Sequence, residues 1–238
     1  MNNAQMRYSS HHLRRAVLAL RHGGVVAYPT EAVYGLGCDP WNPLAVARVL
    51  AMKQREPAKG LIVIAADIIQ LLPFIGSLPT ERQAEIVASW PGPNTWLVPV
   101  LPTTPRWLTG QFATLAVRVT AHPLAAALCR SYGGAIVSTS ANRAARRPAR
   151  TALQLRRALT TQPDVCLVGA CGEQRTSLIR DAQTGRMVRL AELEWGERLA
   201  LRAILCHPIK TDVLSKNTRT SCTTVQALRS SLLKNNAT

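Results

Sequence analysis

Apolar residues recur at helical spacing between His12 and Arg21 (Leu13, Val17, Leu18, Leu20), and Gly23-Gly24 stops the pattern. Val25 to Tyr28 then predicts a short buried strand closed by Pro29. A second helix is predicted from Pro43 to Lys53, with Val46, Val49 and Leu50 on one side, followed by a core strand from Leu61 to Ala65. Glu81 to Ser89 predicts a helix, broken by Trp90-Pro91-Gly92-Pro93. Thr95 to Leu101 and Leu115 to Val119 predict strands, His122 to Tyr132 a helix, and Ala135 to Ser138 a strand. A helix over Ala152 to Leu159 and strands at Val165 to Val168 and Met187 to Leu190 complete the series. Alternation of this kind predicts an α/β fold, a mixed sheet with helical cover. Past Leu190 the pattern changes: Glu192 to Leu205 predicts a short amphipathic helix, and Thr211 to Thr238 is small, polar or basic, which predicts a mobile tail.

Composition narrows this picture. The chain has 238 residues, 47% of them hydrophobic, enough for one compact core plus an appendage. Lys and Arg number 29 against 13 Asp and Glu, and the resulting +16 points to anionic partners. With aromatic residues at 5%, any nucleic-acid contact is expected to run through phosphates rather than stacked rings. Six cysteines without a CxxC pair or a tight Cys/His cluster argue against a structural zinc site or a disulfide scaffold. The opening MNNAQMRYSSHH has no apolar signal core, and no stretch approaches 18 uncharged apolar residues, so a soluble, cytoplasmic protein without a membrane partner is expected.

Four segments carry candidate chemistry. Pro29-Thr30-Glu31-Ala32-Val33-Tyr34-Gly35-Leu36-Gly37 offers a hydroxyl, a carboxylate and a phenol at a strand exit, suited to grip a small polar ligand; it also reads as a Pro/Gly turn capped by Thr30. Lys53, Arg55 and Lys59 stand where a helix gives way to a core strand and suit phosphate oxygens; the alternative is a solvated charge run. Arg118, inside the apolar run 115–119, needs a carboxylate or a wet cavity, and a ligand carboxylate is favoured over an outward-pointing edge position. Ser138-Thr139-Ser140-Ala141-Asn142 ends a strand with three hydroxyls and an amide, a ligand-holding set or a helix cap with a polar turn. Six arginines (143, 146, 147, 150, 156, 157) follow, with no Asp or Glu from 143 to 157, suited to triphosphate, RNA or both.

The assembly PTEAVYGLGCDP, KQREPAKGLIVIAA, WPGPNTW, TTPRWLTG, LAVRVTAHPLAAALC, VSTSAN and IRDAQTG resembles the bacterial threonylcarbamoyl-AMP synthases of the YrdC/Sua5 family, of the short TsaC type, over about residues 10 to 190. The resemblance implies a YrdC-like catalytic domain at 10–190, a mixed twisted sheet around a large basic cavity, with 191–238 as an extension. It implies that L-threonine and bicarbonate give N-carboxythreonine, which attacks the α-phosphorus of ATP held with Mg2+. The products would be L-threonylcarbamoyladenylate and pyrophosphate. The adenylate would then pass to the TsaB, TsaD and TsaE proteins for modification of adenosine 37 in tRNA. It further implies that Thr30, Tyr34, Lys59, Arg118 and Ser138 hold threonine, with Lys59 and Arg118 nearest the chemistry. Lys53, Arg55, Ser140, Asn142, Arg150 and Arg180 would contact ATP, with Mg2+ held mainly by its phosphates. Glu31 is a candidate base or, in preference, a polar scaffold residue. Three positions depart from the usual pattern: Glu56 before Pro57, Arg143-Ala144-Ala145 after Asn142, and Thr176 before Ser177. These bear on local loop shape.

Two competing readings stand beside the synthase. One is a noncatalytic RNA-binding factor using the same basic surface, which has no need of an amino-acid pocket formed by Thr30, Arg118 and Ser138. The other is a carbamoyl-adenylate module like that of hydrogenase-maturation proteins, whose cysteine-rich zinc region is missing from this sequence.

Overall fold

The computed structural model describes residues 9–144, 146–172 and 177–189. The helix expected over 192–205 and the tail expected beyond 211 lie outside the described residues. In chain order the elements are α1 (Ser10–Arg21), β1 (Val26–Pro29), β2 (Tyr34–Gly37), α2 (Pro43–Lys53), β3 (Ile62–Ala65), α3 (Thr80–Ala88), β4 (Asn94–Pro99), α4 (Arg106–Thr109), β5 (Thr114–Val119), α5 (Pro123–Tyr132), β6 (Ile136–Ser140), α6 (Ala152–Ala158), β7 (Val165–Cys166), β8 (Leu178–Asp181) and β9 (Met187–Arg189). A 3-10 turn, Pro57–Lys59, leads into β3.

Local chemistry sets these boundaries. Asn42 caps α2, its side-chain oxygen accepting the N–H groups of Leu44 and Ala45 at 3.0 Å each, and Gln54 ends that helix in a left-handed conformation. His122 caps α5 and Gly133 ends it at φ 90°; the Thr151 side chain caps α6.

The strands form one mixed nine-stranded sheet in the order β7-β1-β2-β6-β3-β5-β4-β8-β9. The β1/β7, β3/β5 and β4/β8 pairs are parallel and the others antiparallel. Because side chains alternate across a strand, the register sorts residues onto two faces. On one face Ala27, Leu36, Val137, Val63, Val117 and Trp96 form a core with α2, α3 and α6 through Val46, Val49, Leu50, Ile86 and Leu155. On the other, Val26, Tyr28, Ile136 and Ile64 pack under α1 and α5 against Leu20, Leu124 and Leu128. Arg118, opposite Ile64, and Ser138, opposite Ile62, belong to this second face.

Two strands escape the hydrophobic pattern. In β2 the two glycines suppress the strand signal, yet the sheet needs them, since a Cβ at Gly37 would stand 2.7 Å from the Val137 carbonyl oxygen and 2.8 Å from the Tyr28 ring. In β8 Arg180 and Asp181 interrupt the apolar run, because this strand lies near the sheet margin and its residues are only half-buried. β6 also continues to Ser140, two residues past the expected end, carrying the serine pair into the ladder.

Gly37→Ala is therefore expected to lower stability by about 1–3 kcal/mol through overpacking. Urea unfolding read by tryptophan fluorescence measures this, and an unchanged midpoint would show that β2 has room to move.

Candidate active site

The site is assembled where β2 turns back along β1 and runs beside β6. Gly35 is its floor: a Cβ there would lie 3.3 Å from Thr30 Cγ2, 3.3 Å from the Tyr28 ring and 3.4 Å from Ser138 Oγ, so these three side chains converge on one point. Thr30 is buried and its hydroxyl donates to the Val33 carbonyl at 2.6 Å, leaving the oxygen's lone pairs open. Tyr28 is wholly buried beside Ser138, and burial raises its phenol far above the ordinary range, so it stays neutral.

Arg118 shares this sheet face. Its guanidinium Nη2 stands 3.5 Å from Glu31 Oε2, both side chains being at least nine-tenths buried. The other Glu31 oxygen accepts from Thr120 Oγ1 at 2.7 Å and from the Ala121 N–H at 2.9 Å. Burial opposes ionisation of Glu31, but Arg118 and these donors prevail and hold its carboxyl below the usual range. Arg118 Nε and Glu31 Oε2 are both buried without a hydrogen-bond partner. A cation in this setting needs oxygen. Glu31 supplies part of that need, and a ligand carboxylate matches the rest.

The segment 169–172 lies beside Thr30 and is tied to the surrounding chain at four places. Tyr34 Oη donates to the Gly169 carbonyl at 2.8 Å and accepts its N–H at 3.1 Å. His122 Nε2 bonds the Ala170 carbonyl at 3.1 Å, the Gly172 N–H donates to the Thr30 carbonyl at 2.9 Å, and Arg150 reaches the Gly172 carbonyl at 3.3 Å. Tyr34 is thus a buried strut, its hydroxyl spent on backbone, on the sheet face opposite Gly35. Arg150 is exposed at the rim.

A second cluster lies at the end of β6. Lys53 is buried, and its ammonium donates to the carbonyls of Ser140 and Asn142 and to Asn142 Oδ1 at 3.3 Å. Ser140 Oγ donates to Asn142 Oδ1 at 2.6 Å, while Asn142 Nδ2 donates to the carbonyls of Arg143 and Arg146. Arg55 bonds the carbonyls of Lys59 and Gly60. Lys53, Ser140 and Asn142 tie the end of α2 to the end of β6, and Arg55 braces the turn that follows α2. Lys59, at the edge of that turn, is exposed and paired with Glu56 at 3.4 Å. Arg180 stands apart: its register with Trp96 puts it on the opposite sheet face, 5.7 Å from that ring and 3.1 Å from Glu85 of α3. The sequence segments mark Thr30, Glu31, Arg118 and Ser138, and Lys53, Ser140 and Asn142 without their mutual bonds; the roles of Tyr28, Thr120 and the 169–172 segment emerge only from the fold. A tyrosine in an apolar strand reads as core, and Thr120, although it lies within the stretch LAVRVTAHPLAAALC, is not singled out by its own pattern.

Compared with known proteins, residues 18–191 match the family model for Sua5, YciO and YrdC proteins, described as "Telomere recombination", a span of well over half the chain. The chain belongs to this family. Among family members, the protein of Alkalilimnicola ehrlichii named threonylcarbamoyl-AMP synthase is 53% identical over 181 residues, covering 74% of this chain and 94% of the relative. That of Halorhodospira halophila, of the same name, is 54% identical over 178 residues, covering 74% and 93%. The solved structure of P. abyssi Sua5 complexed with L-threonine superposes with a TM-score of 0.73 at 27% identity, over 87% of this chain and 64% of that longer one. E. coli YciO, at 22% identity and a TM-score of 0.66, shares the fold.

The Lys53 knot has a pH signature. Burial, reinforced by the charge of Arg55, pushes this lysine down to about 7 from its ordinary value of 10.5. Between those values the unfolded chain holds a proton that the folded chain has lost, so this group makes stability rise with pH from about 7 upward. Urea unfolding of the wild type and Lys53→Met at pH 6, 7, 8 and 9 should show a steeper upward slope above pH 7 in the wild type. Parallel slopes would place the lysine's titration elsewhere.

Proposed function

We propose that this protein joins L-threonine, bicarbonate and ATP into L-threonylcarbamoyladenylate and pyrophosphate. The observation that carries this reading is the buried Arg118, still lacking a full set of acceptors, on the same face as the Thr30, Tyr28 and Ser138 cluster. The high identity to proteins named threonylcarbamoyl-AMP synthase, along nearly their whole length, supports it.

In this reading Arg118 takes the threonine carboxylate, Thr30 and Ser138 offer polar contacts, and Lys59 stands toward the reacting carbonate. Tyr34 supports the pocket through its bond to Gly169. The unprotonated amine of threonine adds to the carbon of bicarbonate with loss of water, giving the carbamate. A carbamate oxygen then attacks the α-phosphorus of ATP, and the bond to pyrophosphate breaks. Neither step needs a covalent intermediate on the protein, so catalysis is positioning and charge stabilisation. Lys53, Arg55, Ser140 and Asn142 form the nucleotide end, with Arg150 at its rim; Arg180, on the far face, is the least suited of the proposed ATP contacts. Among the described residues no group of three or more His, Cys, Asp or Glu side chains is placed to hold a metal ion. In this reading Mg2+ enters with ATP as part of the substrate, ligated chiefly by phosphate oxygens.

The adenylate is a reactive mixed anhydride, and its consumer in this reading is the TsaB, TsaD and TsaE machinery acting on adenosine 37 of tRNA in the cytoplasm. No described helix is long and apolar enough to cross a membrane. The arginines from 143 to 157 offer a surface for direct RNA contact.

Purified protein with MgATP and bicarbonate is expected to release pyrophosphate only when L-threonine is added, with the adenylate detected by mass. Arg118→Ala is expected to lower kcat/KM for threonine by about 10–100-fold, the worth of a charge-assisted hydrogen bond. Folded, ATP-binding protein that makes no adenylate would overturn the reading and favour RNA binding without catalysis.

A further inference from the structure

The carboxylate nearest Arg118 invites the role of general base, but its surroundings assign it another. Glu31 is 4% exposed, its Oε1 accepts two hydrogen bonds, and its Oε2 is shielded from water. With Oε1 taken up by two donors and Oε2 facing the Arg118 guanidinium at 3.5 Å, the carboxylate is stabilised as an anion and is a weak acceptor for a proton from a substrate amine. Toward Arg118, by contrast, the arrangement is directional. Thr120 Oγ1 accepts the His122 N–H at 3.2 Å while donating to Glu31, and His122 Nδ1 accepts the Ala125 N–H at 3.4 Å as the cap of α5. His122 Nε2 meanwhile holds the Ala170 carbonyl. The carboxylate is thus fixed to the start of α5 by a string of bonds that ends on the segment beside Thr30.

We infer that Glu31 is a positioning residue for the threonine reaction: held by Thr120 and Ala121, it fixes the guanidinium of Arg118 and through it the carboxylate of the bound amino acid. This deepens the proposed function and rests on it. The consequence is a split between substrates. Loosening Glu31 widens the range of guanidinium orientations, which weakens the grip on threonine and leaves the nucleotide end, built on Lys53 and Asn142, untouched.

The test uses full-length protein. Glu31→Gln keeps the shape but removes the charge, and is expected to raise the KM for threonine by about tenfold or more while the KM for MgATP stays within about twofold. Thr120→Val keeps both charges and removes one donor, and is expected to shift the threonine KM in the same direction by about two- to fivefold. In an Arg118→Lys background the effect of Glu31→Gln should shrink, because the group it positions is gone. Calorimetric binding of L-threonine and the 15N–H signal of Arg118 Nε add readouts independent of turnover, and that signal should be sharp in the wild type and broadened in Glu31→Gln. A fall in kcat with an unchanged threonine KM would make Glu31 a base and overturn the inference. So would an unaltered Arg118 signal, or effects that simply multiply in the double variant. Should the wild type bind no threonine, the functional reading fails, and the Arg118 signal still decides whether Glu31 positions the guanidinium.

Discussion

Two basic side chains are buried, Arg118 in β5 and Lys53 at the end of α2, and the local structure follows from the need to surround each with oxygen. They are satisfied differently. Lys53 receives three acceptors from the last residue of β6 and from Asn142 just beyond it, a set complete enough to tie the end of α2 to the end of β6. Arg118 receives one carboxylate at 3.5 Å and retains an unpartnered Nε. The closed set around Lys53 shapes and holds the end of β6, whereas the open one around Arg118 leaves acceptor positions unfilled.

The sheet brings these solutions within reach of each other through its narrowest strand. Gly35 and Gly37 keep β2 thin enough for Tyr28 to lie across it, and β2 pairs with β6 at Gly35 opposite Ser140. Ser138 and Ser140 consequently share a face, one toward the Tyr28 and Thr30 pocket, the other in the Lys53 knot. Two residues of one strand thus span the distance between the two ends of the site, a separation that the pleat fixes without loop entropy.

Much of this was readable in the chain. The core strands and the helices α1, α2, α3 and α5 follow from apolar spacing because each buries one face against a continuous sheet. The demand that Arg118 find a carboxylate or a wet cavity also followed from its place in an apolar run, whereas its pairing with Glu31 did not. What could not be read were the long-range pairings: Glu31 meets Thr120 across 89 residues and Tyr34 meets Gly169 across 135, and neither partner sits in a pattern that announces the other. β2 and β8 were hidden for a related reason, since glycine and charge there answer to tertiary neighbours rather than to strand propensity. Arg180 shows the converse: a cation in a promising motif is turned by strand alternation to Glu85 and away from the pocket face.

The placement of Glu31 depends finally on backbone rather than side chain. A Cβ at Gly172 would stand 2.6 Å from the Glu31 carbonyl oxygen, so the 169–172 segment approaches this close only because that position is glycine. The approach lets the Gly172 N–H reach the Thr30 carbonyl, which fixes the peptide just ahead of Glu31 while Thr120 and Ala121 fix its carboxylate. A side chain held at both its root and its tip has little rotamer freedom left to lose when a ligand arrives. In the proposed reading, the entropy of ordering Glu31 behind Arg118 is therefore met during folding, and binding energy at the threonine carboxylate is not spent on arranging it.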